Sequence, residues 1–131
     1  MRIAARLRIS SLVALLLASL AFADDGFAKW WPDFKAAVAK NDPKAIARGA
    51  AFPMNWELEK TRKIESQAEF LAHFNTYFTA DMRRAVASQK PVSIPGDQYM
   101  ITWHARGNEY SMYFKSSGGA WALYALSEGP P

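Results

Sequence analysis

The last third of the chain alternates apolar and polar residues with a period of two, and such a stretch can fold only as strands with one face covered. Residues 98–106 alternate, Gly107-Asn108 is a two-residue hairpin signal, and residues 109–115 alternate again. Setting Arg106 opposite Glu109 pairs Ala105 with Tyr110, Trp103 with Met112 and Ile101 with Phe114, all on one face. A second turn at Ser117-Gly118 then places Phe114 against Trp121, Met112 against Leu123 and Tyr110 against Ala125. The expectation is a three-stranded antiparallel meander whose apolar side needs a cover.

The cover is encoded upstream. Phe27, Trp30, Trp31, Phe34, Ala37 and Val38 recur at helical spacing, with Pro32 expected near the start of the regular helix, where its missing N–H costs nothing. Asn41-Asp42-Pro43 restarts the pattern, with Asp42 as cap, Ile46 and Ala47 facing inward, and Gly49 as the stop. Phe52-Pro53 marks the exit from helix. Residues 54–59 and 61–65 read as short strands or one bent ribbon, with Met54, Trp56 and Leu58 alternating against Asn55, Glu57 and Glu59. Ser66-Gln67-Ala68-Glu69 matches a capping box before a helix bearing Phe70, Leu71, Phe74, Tyr77 and Phe78, and Thr79 can cap a continuation through Asp81, Met82 and Val86. Residues 90–97, with Pro91, Pro95 and Gly96, read as a connector.

The amino end carries a different message. Arg2, Arg6 and Arg8 precede an apolar run, and Ala21-Phe22-Ala23 closes it before Asp24 and Asp25. This is the pattern of a cleavable signal peptide over residues 1–23, so residues 24–131 are expected to be one exported α+β domain, periplasmic or secreted, without stable membrane insertion. The chain's net charge of +4 includes those three arginines, and without them it is +1. A near-neutral domain gives no reason to expect nucleic acid as a partner. With no cysteine in the chain, thiol catalysis and cysteine-ligated zinc are excluded. Five tryptophans, five tyrosines and eight phenylalanines supply the apolar area that a small domain needs for stability.

The element order, with Trp31-x-x-Phe34-x-x-Ala37-Val38, then Asp42, Phe52-Pro53, and Ser66-x-x-x-Phe70-Leu71 with Phe74, resembles the nuclear transport factor 2-like superfamily, also called the cystatin-like or ketosteroid-isomerase-like cone fold. Within it the chain looks like the small exported bacterial members that have no assigned activity. The resemblance spans most of residues 27–127. It implies a conical shell whose interior holds a small apolar ligand or an isomerase or dehydratase site, and a homodimer formed through the outer face of the sheet. Isomerases of this group combine a carboxylate base with a tyrosine and an acidic donor, and no such trio aligns here: Asp97 sits in a Pro/Gly loop and Asp81 beside Arg83 and Arg84.

The fold expected is therefore α+β, with N-terminal helices packed on a curved antiparallel sheet, cone-like, ending in the meander. If the cone is hollow, Trp31, Phe34, Phe74, Trp103, Tyr110 and Trp121 are the candidate cavity lining. The register above also puts His104 beside Ser111 and Tyr124 in one row, and Thr102 beside Tyr113 and Ala122 in the next, on the face away from the apolar side. No third group orients the histidine as acyl transfer requires, so Thr102, His104, Ser111, Tyr113 and Tyr124 are read as an interface rather than a catalytic set. His73 lacks a ligand at i+4, so no metal is expected, and no motif calls for a cofactor. The basic clusters Lys60, Arg62, Lys63 and Arg83, Arg84, Lys90 read as solvated surface. The function expected is an exported binding or interaction domain holding a small apolar ligand. The alternatives are an isomerase- or dehydratase-type enzyme and an accessory or inhibitor protein.

Overall fold

The computed structural model describes residues 26–57 and 61–131; the signal expected at residues 1–23 lies outside them. Helix α1 (Gly26–Ala39) and helix α2 (Pro43–Arg48) come first. Strands β1 (Ala50–Glu57) and β2 (Thr61–Ile64) follow, then helices α3 (Gln67–Ala72), α4 (Phe74–Tyr77) and α5 (Ala80–Ser88). Strands β3 (Val92–Ile94), β4 (Gln98–Ala105), β5 (Asn108–Ser117) and β6 (Ala120–Gly129) finish the chain. The strands form one curved sheet in the order β2-β1-β6-β5-β4-β3, antiparallel throughout except for the parallel pair β1–β6. Helices lie against its apolar face, as the α+β expectation requires. Among the described residues no helix is long and apolar enough to cross a membrane.

Caps fix most helix starts where the sequence places them. Asp42 accepts from the Ala45 amide at 3.2 Å, Ser66 from Glu69 at 3.1 Å, and Thr79 from Met82 at 3.4 Å. Glu69 completes its capping box on the Glu65 amide at 2.8 Å, one residue earlier than the simple motif, and also accepts the Tyr77 hydroxyl at 3.0 Å. These bonds hold the Glu69 carboxyl below its usual pKa, the Glu65 amide contributing most. Two helical expectations are corrected. Helix α1 begins six residues before Pro32, because Phe27 is clamped onto Tyr99 with ring centroids 4.0 Å apart and the first turns are held by packing. The helix expected through Phe78 breaks at His73, which closes α3 and opens α4.

The meander keeps its apolar face but not its expected register. Both Arg106 and Gly107 have positive φ, 51° and 77°, so the turn falls on these two residues and not on Gly107-Asn108. Trp103 therefore pairs with Tyr110, Ile101 with Met112, and Tyr99 with Phe114. The second turn falls on Gly118 and Gly119, pairing Phe114 with Leu123. A bulge follows: Tyr113 pairs with Ala125, so Tyr124 is the extra residue and Leu126 rather than Ala125 takes the place on the apolar face opposite Met112. Residues 92–94, read as connector, form a short edge strand on β4. The meander is thus the middle of a six-stranded sheet. β1 joins it beside β6, with a register slip between Ala50 and Asn55, where Pro53 has no N–H for the ladder.

Phe114, fully buried, is the hub of the packing at one end of the sheet. Phe27, Trp30, Trp31 and Phe34 of α1 surround it with ring centroids 5.9, 5.8, 5.3 and 5.7 Å away. Gly49 lets α2 leave beneath this cluster, since a Cβ there would stand 2.7 Å from Phe34 Cδ1. Phe114→Ala is expected to cost about 3–5 kcal/mol of stability. Urea unfolding followed by tryptophan fluorescence checks this, and a loss within the range of a surface substitution would contradict the hub role.

Candidate functional site

The inner face of the sheet is not filled evenly. Tyr99, Phe114 and Leu123 form one row beneath α1, and Ile101, Met112, Leu126, Trp56 and Arg62 form the next. Trp103, Tyr110 and Glu128 form the row beyond it. Helix α1 covers the first row, while the shorter α4 and α5 stand over the last two and leave a cavity of about 520 Å³. Trp56, Tyr77, Met82, Trp103 and Tyr110 give it apolar walls; Arg62, Thr76, Thr79, Asp81, Arg106, Asn108 and Glu128 supply its polar groups. This size and mixture suit a small organic ligand.

Two of the charges at the cavity, Asp81 and Arg106, are committed to each other. Asp81, in the first turn of α5, accepts from Arg106 at 3.0 Å and is also paired with Arg84. The Arg106 hydrogen bond, followed by the charge of Arg84, holds the Asp81 carboxyl below its ordinary pKa. The Glu128 carboxylate beside Tyr110, followed by burial, pushes the phenol pKa upward. Its ring stacks on Trp103, with centroids 5.5 Å apart. The two tryptophans differ in kind from these paired groups: the indole nitrogens of Trp56 and Trp103 are buried and have no hydrogen-bond partner among the described residues.

Of the six residues expected to line a cavity, Trp103 and Tyr110 line this one. Phe34 and Phe74 sit in the core, and Trp121 packs edge-on to Phe27 and Tyr99. Trp31 borders a separate, shallower groove with Lys35, Lys90 and Tyr99. The five interface candidates share the outer sheet face, but the expected rows are rearranged by the turn and the bulge. His104 faces Glu109 at 3.3 Å, Thr102 faces Ser111 with hydroxyls 3.4 Å apart, and Tyr113 reaches Ser127 at 3.3 Å. Tyr124 donates to Gln98 and lies beneath Lys115 Nζ, 4.6 Å from the ring centroid. His73 is exposed, and Asp97 is a positive-φ turn residue.

Sequence reasoning missed Trp56, Arg62, Asp81, Met82, Arg106 and Glu128. Glu128 was out of reach because strict alternation from Leu123 turns it to the outer face, and only the bulge brings it inward opposite Tyr110. Asp81 carried a usable signal, namely its position two residues after the Thr79 cap, at the end of a helix that must lean on the sheet.

No family model matches the chain, and no curated protein does. Among solved structures it is similar to an NTF-2-like protein of unknown function from Shewanella oneidensis MR-1, with 11% identity over 79% of this chain and 96% of that one and a TM-score of 0.48. It is similar to an NTF2-like protein of unknown function from Pseudomonas putida KT2440, with 11% identity, 85% and 88% coverage and a TM-score of 0.47. An uncharacterized protein with a cystatin-like fold from Caulobacter vibrioides shares 7% identity, with 82% and 88% coverage and a TM-score of 0.48.

Because the Asp81 pKa is depressed in the folded state, its contribution to stability is full above the unfolded carboxylate pKa, near 4, and is lost as pH falls through the lower folded value. Asp81→Asn is expected to cost at most about 1 kcal/mol near neutrality and to flatten the loss of stability below about pH 4. Urea unfolding at stepped pH measures both, and parallel pH profiles for parent and variant would contradict the assignment.

Proposed function

We propose that the chain is an exported small-molecule-binding domain that holds a largely apolar ligand between its sheet and helices α4 and α5. The observation that carries this is the cavity itself, with apolar walls from Trp56, Tyr77, Met82 and Trp103 and a polar margin in which Asp81 and Arg106 already pair. A ligand seated there gains burial without having to displace a salt bridge. Export is supported by the basic, apolar and Ala-x-Ala pattern of residues 1–23.

Binding is favoured over isomerase or dehydratase chemistry by the state of the acidic groups. A general base works best with a pKa near the working pH, whereas Asp81 is pushed the other way by two guanidinium groups. Tyr110, its pKa raised by the neighbouring Glu128 carboxylate and by burial, is poorly suited to act as an acid toward substrate. The outer sheet face, with Thr102, Ser111, Tyr113 and Tyr124 half-buried or buried, supports association of two copies.

Native mass spectrometry of residues 24–131, purified gently from the cells that make it, is expected to show a dimer with a co-purifying small molecule. Met82→Trp narrows the cavity and is expected to remove that mass while leaving the circular dichroism spectrum unchanged. Retention of the ligand by this variant would place binding elsewhere. Tyr113→Arg on the outer face is expected to give a monomer in sedimentation velocity, and a parent protein that sediments as a monomer would overturn the dimer.

A further inference from the structure

Strand β3 ends the sheet on the β4 side, and no strand lies beyond it among the described residues. Its register fixes which of its backbone groups face outward. Val92 pairs with Met100, Ser93 with Tyr99 and Ile94 with Gln98. In an antiparallel ladder, pairs that exchange two hydrogen bonds alternate with pairs that exchange none. Were Ser93 and Tyr99 a bonded pair, the next bond along would need an N–H at position 95, which Pro95 lacks. Val92 and Ile94 are therefore bonded to β4, and Ser93 turns its N–H and C=O away from the sheet.

The side chains beside this edge narrow what can use it. Ser93 shares the inner face with Tyr99, and it is small and exposed. Tyr99 borders the second groove, of about 390 Å³, which runs between α1 and the segment from Ser88 to Pro91 that leads into β3. Phe27, Trp31 and Pro91 give this groove apolar surface, Lys35 and Lys90 are its charges, and no carboxylate lines it. On the outer face Val92 is 58% exposed, the one exposed large apolar side chain among the described residues.

We infer that β3 is the docking edge for an extended segment of a partner protein, added antiparallel as a further strand, with an apolar residue opposite Ser93 and acidic residues on its carboxyl side. Such an added strand draws attachment from main-chain bonds and selectivity from alternate side chains. The residue opposite Ser93 exchanges both hydrogen bonds with it and, because paired residues share a face, turns its side chain inward beside Tyr99. Its two neighbours lie along Val92 and Ile94 on the outer face. Toward its carboxyl end the segment passes Pro91 and the lysines of the groove; toward its amino end it passes Asp97. Charge therefore sets its direction. A second copy of this chain fits less well, since symmetric pairing would bring only Ser93 to the groove and would set Pro91 against Pro95 with no N–H between them. None of the groove's lining residues borders the larger cavity, so this edge stands or falls independently of the small-molecule reading.

The peptide acetyl-Ser-Thr-Val-Leu-Val-Glu-Glu-amide is a minimal partner, with its leucine set opposite Ser93. Binding to the mature protein is followed by the Ser93 amide and Trp31 indole signals in assigned nitrogen-15 correlation spectra. Saturable shifts of both are expected, with the reversed sequence, identical in composition and charge, binding about tenfold more weakly. N-methylation of the leucine is expected to weaken binding about tenfold by removing one hydrogen bond. N-methylation of the valine that follows it, whose N–H points away from β3, is expected to change affinity by less than about twofold. Lys35→Ala/Lys90→Ala is expected to remove the preference between forward and reversed sequences. Shifts confined to the Trp31 indole, or equal losses from the two N-methyl peptides, would overturn strand addition. A Ser93 amide that shifts with protein concentration alone would put a second copy on this edge in place of a partner. No shift of either signal at millimolar peptide would overturn the docking edge itself.

Discussion

Phe114 and the helix clasped over it set the shape from which the rest follows. Four rings of α1 close around this one side chain, so the first helix is fixed to one end of the sheet. Aromatic side chains bring more buried area per residue than any others, and here they replace the disulfides that a chain without cysteine cannot form. With that end filled, the far end is spanned only by α4 and α5, of four and nine residues. The cavity is the space that these short elements leave over the last two rows of the sheet.

The bulge between Tyr113 and Phe114 is the second constraint. It puts two residues, Tyr124 and Ala125, between the inward-facing Leu123 and Leu126. A bulged strand bends and twists more than a regular one, so the sheet curls around the helices. The same extra residue brings Glu128 inward opposite Tyr110. One local irregularity thus both shapes the wall of the cavity and delivers one of its charged groups.

Much of this was legible in the sequence where a residue's own chemistry settles its place. Asp42, Ser66 and Thr79 cap helices because their oxygens can take an orphaned amide, and the alternation from Gln98 onward placed Ile101, Trp103, Tyr110, Met112 and Phe114 on one face. What failed was counting across turns. Assigning the first turn to Gly107-Asn108 instead of Arg106-Gly107 moved every cross-strand partner by two residues while preserving the face, and the bulge then reversed the sides of Ala125 and Leu126. The cavity depends on just those cross-strand neighbours, and beside Trp103 and Tyr110 it is bordered by Glu128, Arg106 and Trp56, which alternation alone does not bring there. Phe34 and Phe74 are buried in the core, and a large ring looks the same in a sequence whether it fills a core or borders a cavity.

A crystal structure of the mature protein grown with 2-acetylnaphthalene tests the central claim most directly. The account predicts the naphthalene ring between Trp56, Met82 and Trp103, with α1 unmoved on Phe114. A ring bound instead in the groove beside Trp31 and Tyr99, or Trp56 and Trp103 closed upon each other with no space between, would contradict it.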